Sequence, residues 1–465
     1  YQRTERITVS LYDTNFDAAN IVAVAEDGAM SPALCVGTNG NDWGHTRIDV
    51  AFDAADIPAL GYRTFLLAQR SSMPQGASEA DRSIPIGKGW LMTTPFLQYK
   101  IDRDQGGVVD VVDLRSGAVL SACDSRSPMG AFKFVTERPI GMSAWMLGSQ
   151  TDPEVPLKMK GINMRGASVQ DGTALMPSSA PFGVECEQHL GVSGTESMVR
   201  LRQTVHTLEP RMDFAAEIDW REIGSHERGI PSLIISIPLP LTDISTRYET
   251  PFGSIVRALY NGEEVPSLRY AHVEGTAQTA DGKPVHAGVT LLQDCKYGHS
   301  IAGNDRDGYT LRLRIVRSSY SPDPAPEIAT TTVRFSLYFH AKPADPAMLA
   351  RLGEEWNSPL IALPAPVQAG DAPLSHSYAK VISQNVALTA LKLPENGASL
   401  VLRLVELNGV EGDAKVEISD ELLQGATSVR CVDILERPIE GAASLKDGLL
   451  TVPMSAYSIA TVLIG

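Results

Sequence analysis

The chain has 465 residues, which at about 100–200 residues per domain suggests two to four domains. Hydrophobic residues make up 43% and charged residues 20%, globular proportions that exclude global disorder and a collagen-like chain. Lys and Arg total 40 against 55 Asp and Glu, so the formal charge is −15 and polyanions such as nucleic acid or anionic membrane are poor partners.

Short strands between turn signals dominate from the start. Ile7–Tyr12 alternates, Ile21–Val24 continues, and Glu26-Asp27-Gly28 turns the chain before Thr46–Phe52 and Tyr62–Leu67. These runs predict a small sandwich over residues 1–75. Ser71–Gly89 is poor in apolar residues and rich in Gly, Pro and Ser, as a linker is. Phe96–Ile101 and Val108–Leu114 flank the turn 102–107, a hairpin pattern. Strand-like runs recur at Met198–Val205, Met212–Ile218, Leu233–Ile237, Val289–Leu292, Tyr309–Val316 and Thr332–Phe339. Together they predict one all-β domain over residues 85–345, too long for an immunoglobulin-type sandwich of about 100 residues.

A helix is expected at Asp345–Trp356, with Asp345 as cap, Pro346 in the first turn, and Leu349, Leu352 and Trp356 on one face. It begins a helix-and-linker segment, 345–378. Strands resume at Leu400–Leu404, Ala414–Ile418, Ser428–Ile434, Leu449–Val452 and Ser458–Ile464, predicting a second small sandwich over 379–465.

The chemistry is sparse. No histidine stands in H-x-D, H-x-H or HExxH, so no metal site is expected in this chain. GxGxxG after a strand, the P-loop and GxSxG are absent. The five cysteines lie more than sixty residues apart and there is no Asn-x-Ser/Thr site, which fits a reducing, cytoplasmic setting. No apolar run reaches about 18 residues, so no membrane helix is expected. The chain opens at Tyr1 without an initiating Met or signal-peptide pattern, and reads as a piece of something longer.

Four stretches carry more. They are Asp56-Ile-Pro-Ala-Leu-Gly-Tyr-Arg-Thr-Phe65, then Tyr248-Glu-Thr-Pro-Phe-Gly-Ser-Ile-Val-Arg257 after Asp219-Trp220. Leu291-Leu-Gln-Asp-Cys-Lys-Tyr-Gly298 precedes Leu313-Arg-Ile-Val-Arg317 and Pro322-Asp323-Pro324, and Arg334-Phe-Ser-Leu-Tyr-Phe-His340 follows. In this order and spacing they resemble the C-terminal β region of α-mannosidases of glycoside hydrolase family 38, cytosolic type. The run from Pro95-Phe96 to Gly117 is similar to the start of that family's large domain.

The resemblance implies a large mutarotase-like supersandwich flanked by two smaller β-sandwich domains. It implies that catalysis, with a zinc ion and a nucleophilic Asp, belongs to a preceding α/β barrel that nothing here matches. This chain would then be the non-catalytic part of a retaining enzyme acting on α-mannoside glycans, inactive alone, with its own barrel as partner and homo-oligomerisation compatible with it. The resemblance also places Asp294, Lys296, Tyr297 and Arg317 at the rim of the substrate cleft. A guanidinium and an ammonium there can hydrogen-bond sugar hydroxyls, and a tyrosine can stack on a pyranose face.

Cys295 reads as a buried small apolar group, and Phe252 and Trp220 as core. Tyr297 and Arg317 are expected on one edge of the large sandwich. That requires either Val289–Leu292 to pair with Tyr309–Val316 and fold back, or, preferably, Cys295–Ile301 to be the partner strand. Two other function classes stay open. A stand-alone carbohydrate-binding protein would need exposed aromatics, and aromatic content is only 6%. An autonomous mutarotase- or lyase-like enzyme would need a His converging with Glu or Tyr in the concave groove of the supersandwich.

Overall fold

The computed structural model describes the chain apart from residues 17–19, 43, 71–82, 87–88, 103–104, 106, 121–127, 151–153, 166–167, 171–172, 176–183, 193, 207–208, 260–262, 325–326, 396 and 398–399, and apart from some strand side chains within 34–42, 83–92 and 159–188. The described residues are almost entirely antiparallel strands, with only two helices among them. They fall into two compact units, Ala77–Asn357 and a second made of Tyr1–Gly76 with Ser358–Gly465.

The larger unit is a sandwich of two broad sheets. One has nine strands, with Arg211–Trp220, Ala329–His340, Pro284–Gln293, Tyr270–Gln278 and Thr242–Thr250 as consecutive neighbours. The other has seven, with Ala131–Arg138, Ile230–Leu239, Gly308–Arg317 and Gly298–Asn304 in that order. Strict alternation builds the interface: along Arg211–Trp220 every second residue (Met212, Phe214, Ala216, Ile218, Trp220) is buried. These meet Phe132, Leu233, Ile235, Leu311 and Leu313 from the facing sheet in one continuous core. Phe214 stacks on Phe335 at 4.5 Å between centroids. Each buried Leu, Ile or Phe contributes roughly 1.5–3 kcal/mol, so this core is what holds the unit together.

A four-stranded sheet adds to that core through Leu97, Tyr99 and Ile101. Its Leu97–Asp102 and Gly107–Asp113 strands form the expected hairpin. The expected linker Ser71–Gly89 divides. Residues 71–82 lie outside the described ones, whereas Ser83–Ile86 and Gly89–Thr93 form a second hairpin of this sheet. Its short strands alternate too briefly to stand out among Gly and Pro.

The helix forms at Pro346–Asn357, with Asp345 Oδ1 accepting from Met348 N at 2.9 Å as an N-cap. Leu349 and Leu352 pack on Tyr270 and Leu292, closing the outer face of the nine-stranded sheet.

In the smaller unit, the N-terminal residues form one five-stranded sheet rather than a sandwich of their own. The strand Met30–Asp42, rich in Gly and Asn, fills its centre with register shifts at Cys35/Gly37 and Asn39/Asp42. Those bulges absorb residues that propensity alone assigns to loops. Gly61–Arg63 leaves this sheet to pair with Ser375–Ser377. The C-terminal residues form the expected sandwich of two four-stranded sheets around Leu402, Leu404, Val416, Leu450 and Val462.

No helix among the described residues is long and apolar enough to cross a membrane.

Candidate functional site

Val289–Leu292 does not pair with Tyr309–Val316. Its strand belongs to the nine-stranded sheet, while Gly308–Arg317 runs through the middle of the other. The partner is Gly298–Asn304, with His299 opposite Leu313 and the turn at Asp305–Asp307. Tyr297 and Arg317 therefore stand at the same end of the seven-stranded sheet.

At that end the chain crosses between sheets. Val265–Pro266 pairs with Gly298–Asn304, and four residues later Tyr270–Gln278 enters the nine-stranded sheet. The crossing is tied at several points. Ser267 N donates to Tyr297 O at 3.0 Å, and Glu249 N donates to Ser267 Oγ at 2.9 Å. His299, fully buried, bonds Tyr297 O through Nδ1 at 3.1 Å, and burial lowers its pKa from 6.5 to about 4. It is neutral at physiological pH and fixes the loop above it.

A cavity of about 280 Å³ opens here, lined by Glu249, Thr250, Phe252, Leu268, Arg269, Gln293, Asp294, Tyr297 and Asn357. Its floor is polar and mostly self-satisfied. Glu249, almost fully buried, accepts from the backbone N of Arg269 at 2.6 Å and from its Nε at 2.9 Å. Asp294 accepts from Arg334 Nε at 2.9 Å, and that guanidinium also lies over the Trp356 ring. Asn357 donates to Gln293 O at 3.1 Å. Gln293 is the exception. It is 1% exposed, its Oε1 accepts from Lys296 N at 2.6 Å, and its Nε2 has no partner among the described residues.

Two aromatic rings line the opening. Tyr297 is 55% exposed and Phe252 is 49% exposed. Phe252 is not core, contrary to expectation; it sits second, after Pro251, in the two-residue turn between Thr242–Thr250 and Gly253–Val256. Its φ is +60°, where a type II turn calls for glycine. Holding a bulky side chain at positive φ costs about 1–2 kcal/mol. The signal was in the sequence, because Pro-Phe-Gly puts the aromatic where the turn wants the glycine that follows it. Trp220 is core as expected, fully buried with Nε1 on Ser318 Oγ at 2.7 Å.

Of the four rim residues expected from the sequence, Asp294 and Tyr297 share this cavity. Lys296 lies between them in the loop, half-buried, with no ion-pair partner for its ammonium among the described residues. Arg317 is turned away. Its Nε donates to Glu137 at 3.0 Å, and its two terminal nitrogens donate to the carbonyls of Ser143 and Met146. Glu137 is 2% exposed and also binds Arg314 at 2.7 Å. Arg317 thus holds the loop 139–148 in place.

Cys295 is exposed rather than buried. Partial burial and then the neighbouring Asp294 push its thiol up to about 11, the wrong direction for a nucleophile. Cys35 and Cys431 are also unpaired; Cys123 and the side chain of Cys186 lie outside the described residues. No group of three or more His, Cys, Asp or Glu side chains among the described residues could hold a metal ion. The zinc implied by the resemblance therefore has no ligand set among them.

The C-terminal domain model of glycosyl hydrolases family 38 matches residues 92–325, and the family's C-terminal beta sandwich domain model matches residues 385–462. Alpha-mannosidase 2C1 of Mus musculus is 28% identical over 261 residues, covering 55% of this chain and 23% of the mouse protein. The human protein of that name is 29% identical over 260 residues, with the same coverage of 55% and 23%. An alpha-mannosidase structure from Enterococcus faecalis V583 superposes with a TM-score of 0.71 at 14% identity, over 100% of this chain and 55% of that one. A second family 38 structure from Enterococcus faecalis gives 0.73 at 14%, over 100% and 57%. At that identity the superposition speaks for the fold alone. The chain spans under a quarter of these curated relatives (23%) and just over half (55–57%) of these solved chains. With one family model over half of its length and another on its last sandwich, this chain belongs to glycosyl hydrolase family 38, as the family's C-terminal β region.

Proposed function

We propose that this chain is the non-catalytic β portion of a retaining, cytoplasmic α-mannosidase, and that the cavity between Phe252 and Tyr297 completes the rim of the substrate cleft. Zinc and the nucleophile would reside in a separate catalytic domain, the partner of this chain. The observation that carries the reading is the buried Gln293 amide, whose Nε2 has no partner among the described residues and which lines a cavity flanked by two exposed aromatics. An orphaned buried donor costs about 1–3 kcal/mol, which a ligand hydroxyl entering the cavity would offset. The aromatic rings offer C–H stacking faces, and Glu249 and Asp294 accept from hydroxyls while Lys296 donates at the edge.

The test is twofold. The isolated chain should release no aryl alcohol from an aryl α-mannoside; turnover abolished by a chelator would overturn the assignment. Titration with an α-linked mannobiose, followed by NMR, should perturb the Phe252 and Tyr297 rings. Tyr297→Ala and Phe252→Ala should each abolish that perturbation of the remaining ring, and binding unchanged in both variants would remove the rim.

One observation favours the autonomous-enzyme reading. On the outer face of the nine-stranded sheet His272 and His286 converge on Glu274, at 3.3 and 3.6 Å, beside a cavity of about 450 Å³. Accelerated anomer interconversion of α-D-glucose, followed by polarimetry, would support it.

A further inference from the structure

Residues 139–150 contain no charged side chain. Within them Ile140, Met142, Trp145, Met146 and Leu147 are all exposed, Trp145 to 74%. An apolar loop left to itself would collapse or fray, yet this one is held from beneath. The buried Ser143 accepts from Tyr320 N and Ser321 N at 3.0 Å each, and Ala144 N donates to Ser321 O at 2.8 Å. Gly148 N donates to Glu137 Oε2 at 3.2 Å, and Arg317 clamps the carbonyls of Ser143 and Met146. Buried polar groups thus keep five large apolar side chains pointing into solvent. Depletion of charge with enrichment in Trp and Met is the composition of an interface core, and rigidity lowers the entropy cost of docking.

We propose that the loop 139–148 is the apolar anchor on which the catalytic domain of the full-length polypeptide docks. The inference rests on the functional reading above. Two observations select this occupant. The solved family chains of the same fold are nearly twice as long, since this chain covers only 55–57% of them, so a further large domain accompanies this fold there. Arg317, which clamps the loop, ends the strand whose neighbour begins one residue after Tyr297. A domain whose cleft is completed at Tyr297 must approach this same sheet end, where the loop stands.

The experiment places Trp145→Asp in the full-length polypeptide and in this chain alone. In the chain alone the melting temperature should stay within about 2 °C, because the side chain is exposed. In the full-length polypeptide, limited thermolysin digestion should separate the two portions at least tenfold faster than in wild type. Trp145→Phe should restore the wild-type rate, and Ile361→Asp, exposed on the other compact unit, should match wild type. Digestion of Trp145→Asp at the wild-type rate would overturn the proposal, as would a marked fall in melting temperature of the chain alone. Failure of the functional reading would show separately, as a full-length polypeptide that releases no aryl alcohol from an aryl α-mannoside.

Discussion

Replacing Arg317 by alanine separates two roles for that residue, sugar contact and scaffold. Its side chain is only 13% exposed and its donors are occupied by Glu137 and by the carbonyls of Ser143 and Met146. Removing one partner of a buried ion pair costs about 3–5 kcal/mol when the other charge is stranded. Glu137 would not be stranded, since Arg314 Nη1 stays 2.7 Å away and Ser232 Oγ donates at 3.2 Å. That moves the ion-pair contribution below this range. Ser143 is fully buried, so its carbonyl loses a partner that water does not replace, at a cost of about 1–3 kcal/mol, whereas the carbonyl of the exposed Met146 adds little. Arg317→Ala should therefore destabilise the larger unit by about 3 kcal/mol, with the lost cross-link also loosening the loop 139–148. Urea unfolding followed by Trp220 fluorescence reads the first effect, and hydrogen exchange at the amides of 144–148 reads the second. A loss below 1 kcal/mol with unchanged exchange, accompanied by weaker mannobiose binding, would return Arg317 to the cleft and refute the scaffold argument.

Three further outcomes follow from the same geometry. His299, lowered by burial from 6.5 to about 4, and the likewise lowered His272 and His340 take up protons more readily unfolded than folded. Their stabilisation is complete above about pH 6.5 and drains away on acidification, roughly 3 kcal/mol for His299 alone by pH 4. Urea midpoints at pH 7.5 and 5.0 measure it, and equal midpoints would contradict the burial of these imidazoles. Phe252→Gly should leave stability equal or raise it by up to about 1 kcal/mol while abolishing sugar binding, because relief of positive-φ strain outweighs the added backbone entropy. A clear loss of stability would mean that Phe252 packs rather than binds. Cys295, exposed but with its thiol pushed up to about 11, should react with iodoacetamide at pH 8 roughly a hundredfold more slowly than free cysteine, as peptide mapping would read.

What the sequence made legible was periodicity, and what it hid was convergence. The alternation of Met212 to Trp220 and the cap of Asp345 on Met348 are local facts, so both the strand and the helix could be read from neighbours in the chain. The pairing of Gly298–Asn304 with Gly308–Arg317 was half legible, because the turn between them announces a hairpin while the sheet it joins does not. Cys295 runs the opposite way: residue type argues for burial, and its place in an exposed loop overrides type. The cavity failed more instructively. Glu249 and Arg269 are twenty residues apart, and Gln293 lies further on again, so no spacing rule could gather them. What gathers them is the crossing at Val265–Tyr270, a feature of two sheets meeting rather than of any one strand. The rim arginine expected from resemblance turns inward for a different reason. The buried Glu137 needs a cation, and Arg314 and Arg317 both reach it from one strand. The proposed sugar contacts at this end therefore fall to the side chains the scaffold leaves over: the ring of Tyr297, the ring of Phe252 on its positive-φ backbone, and the Gln293 amide nitrogen that has no partner among the described residues.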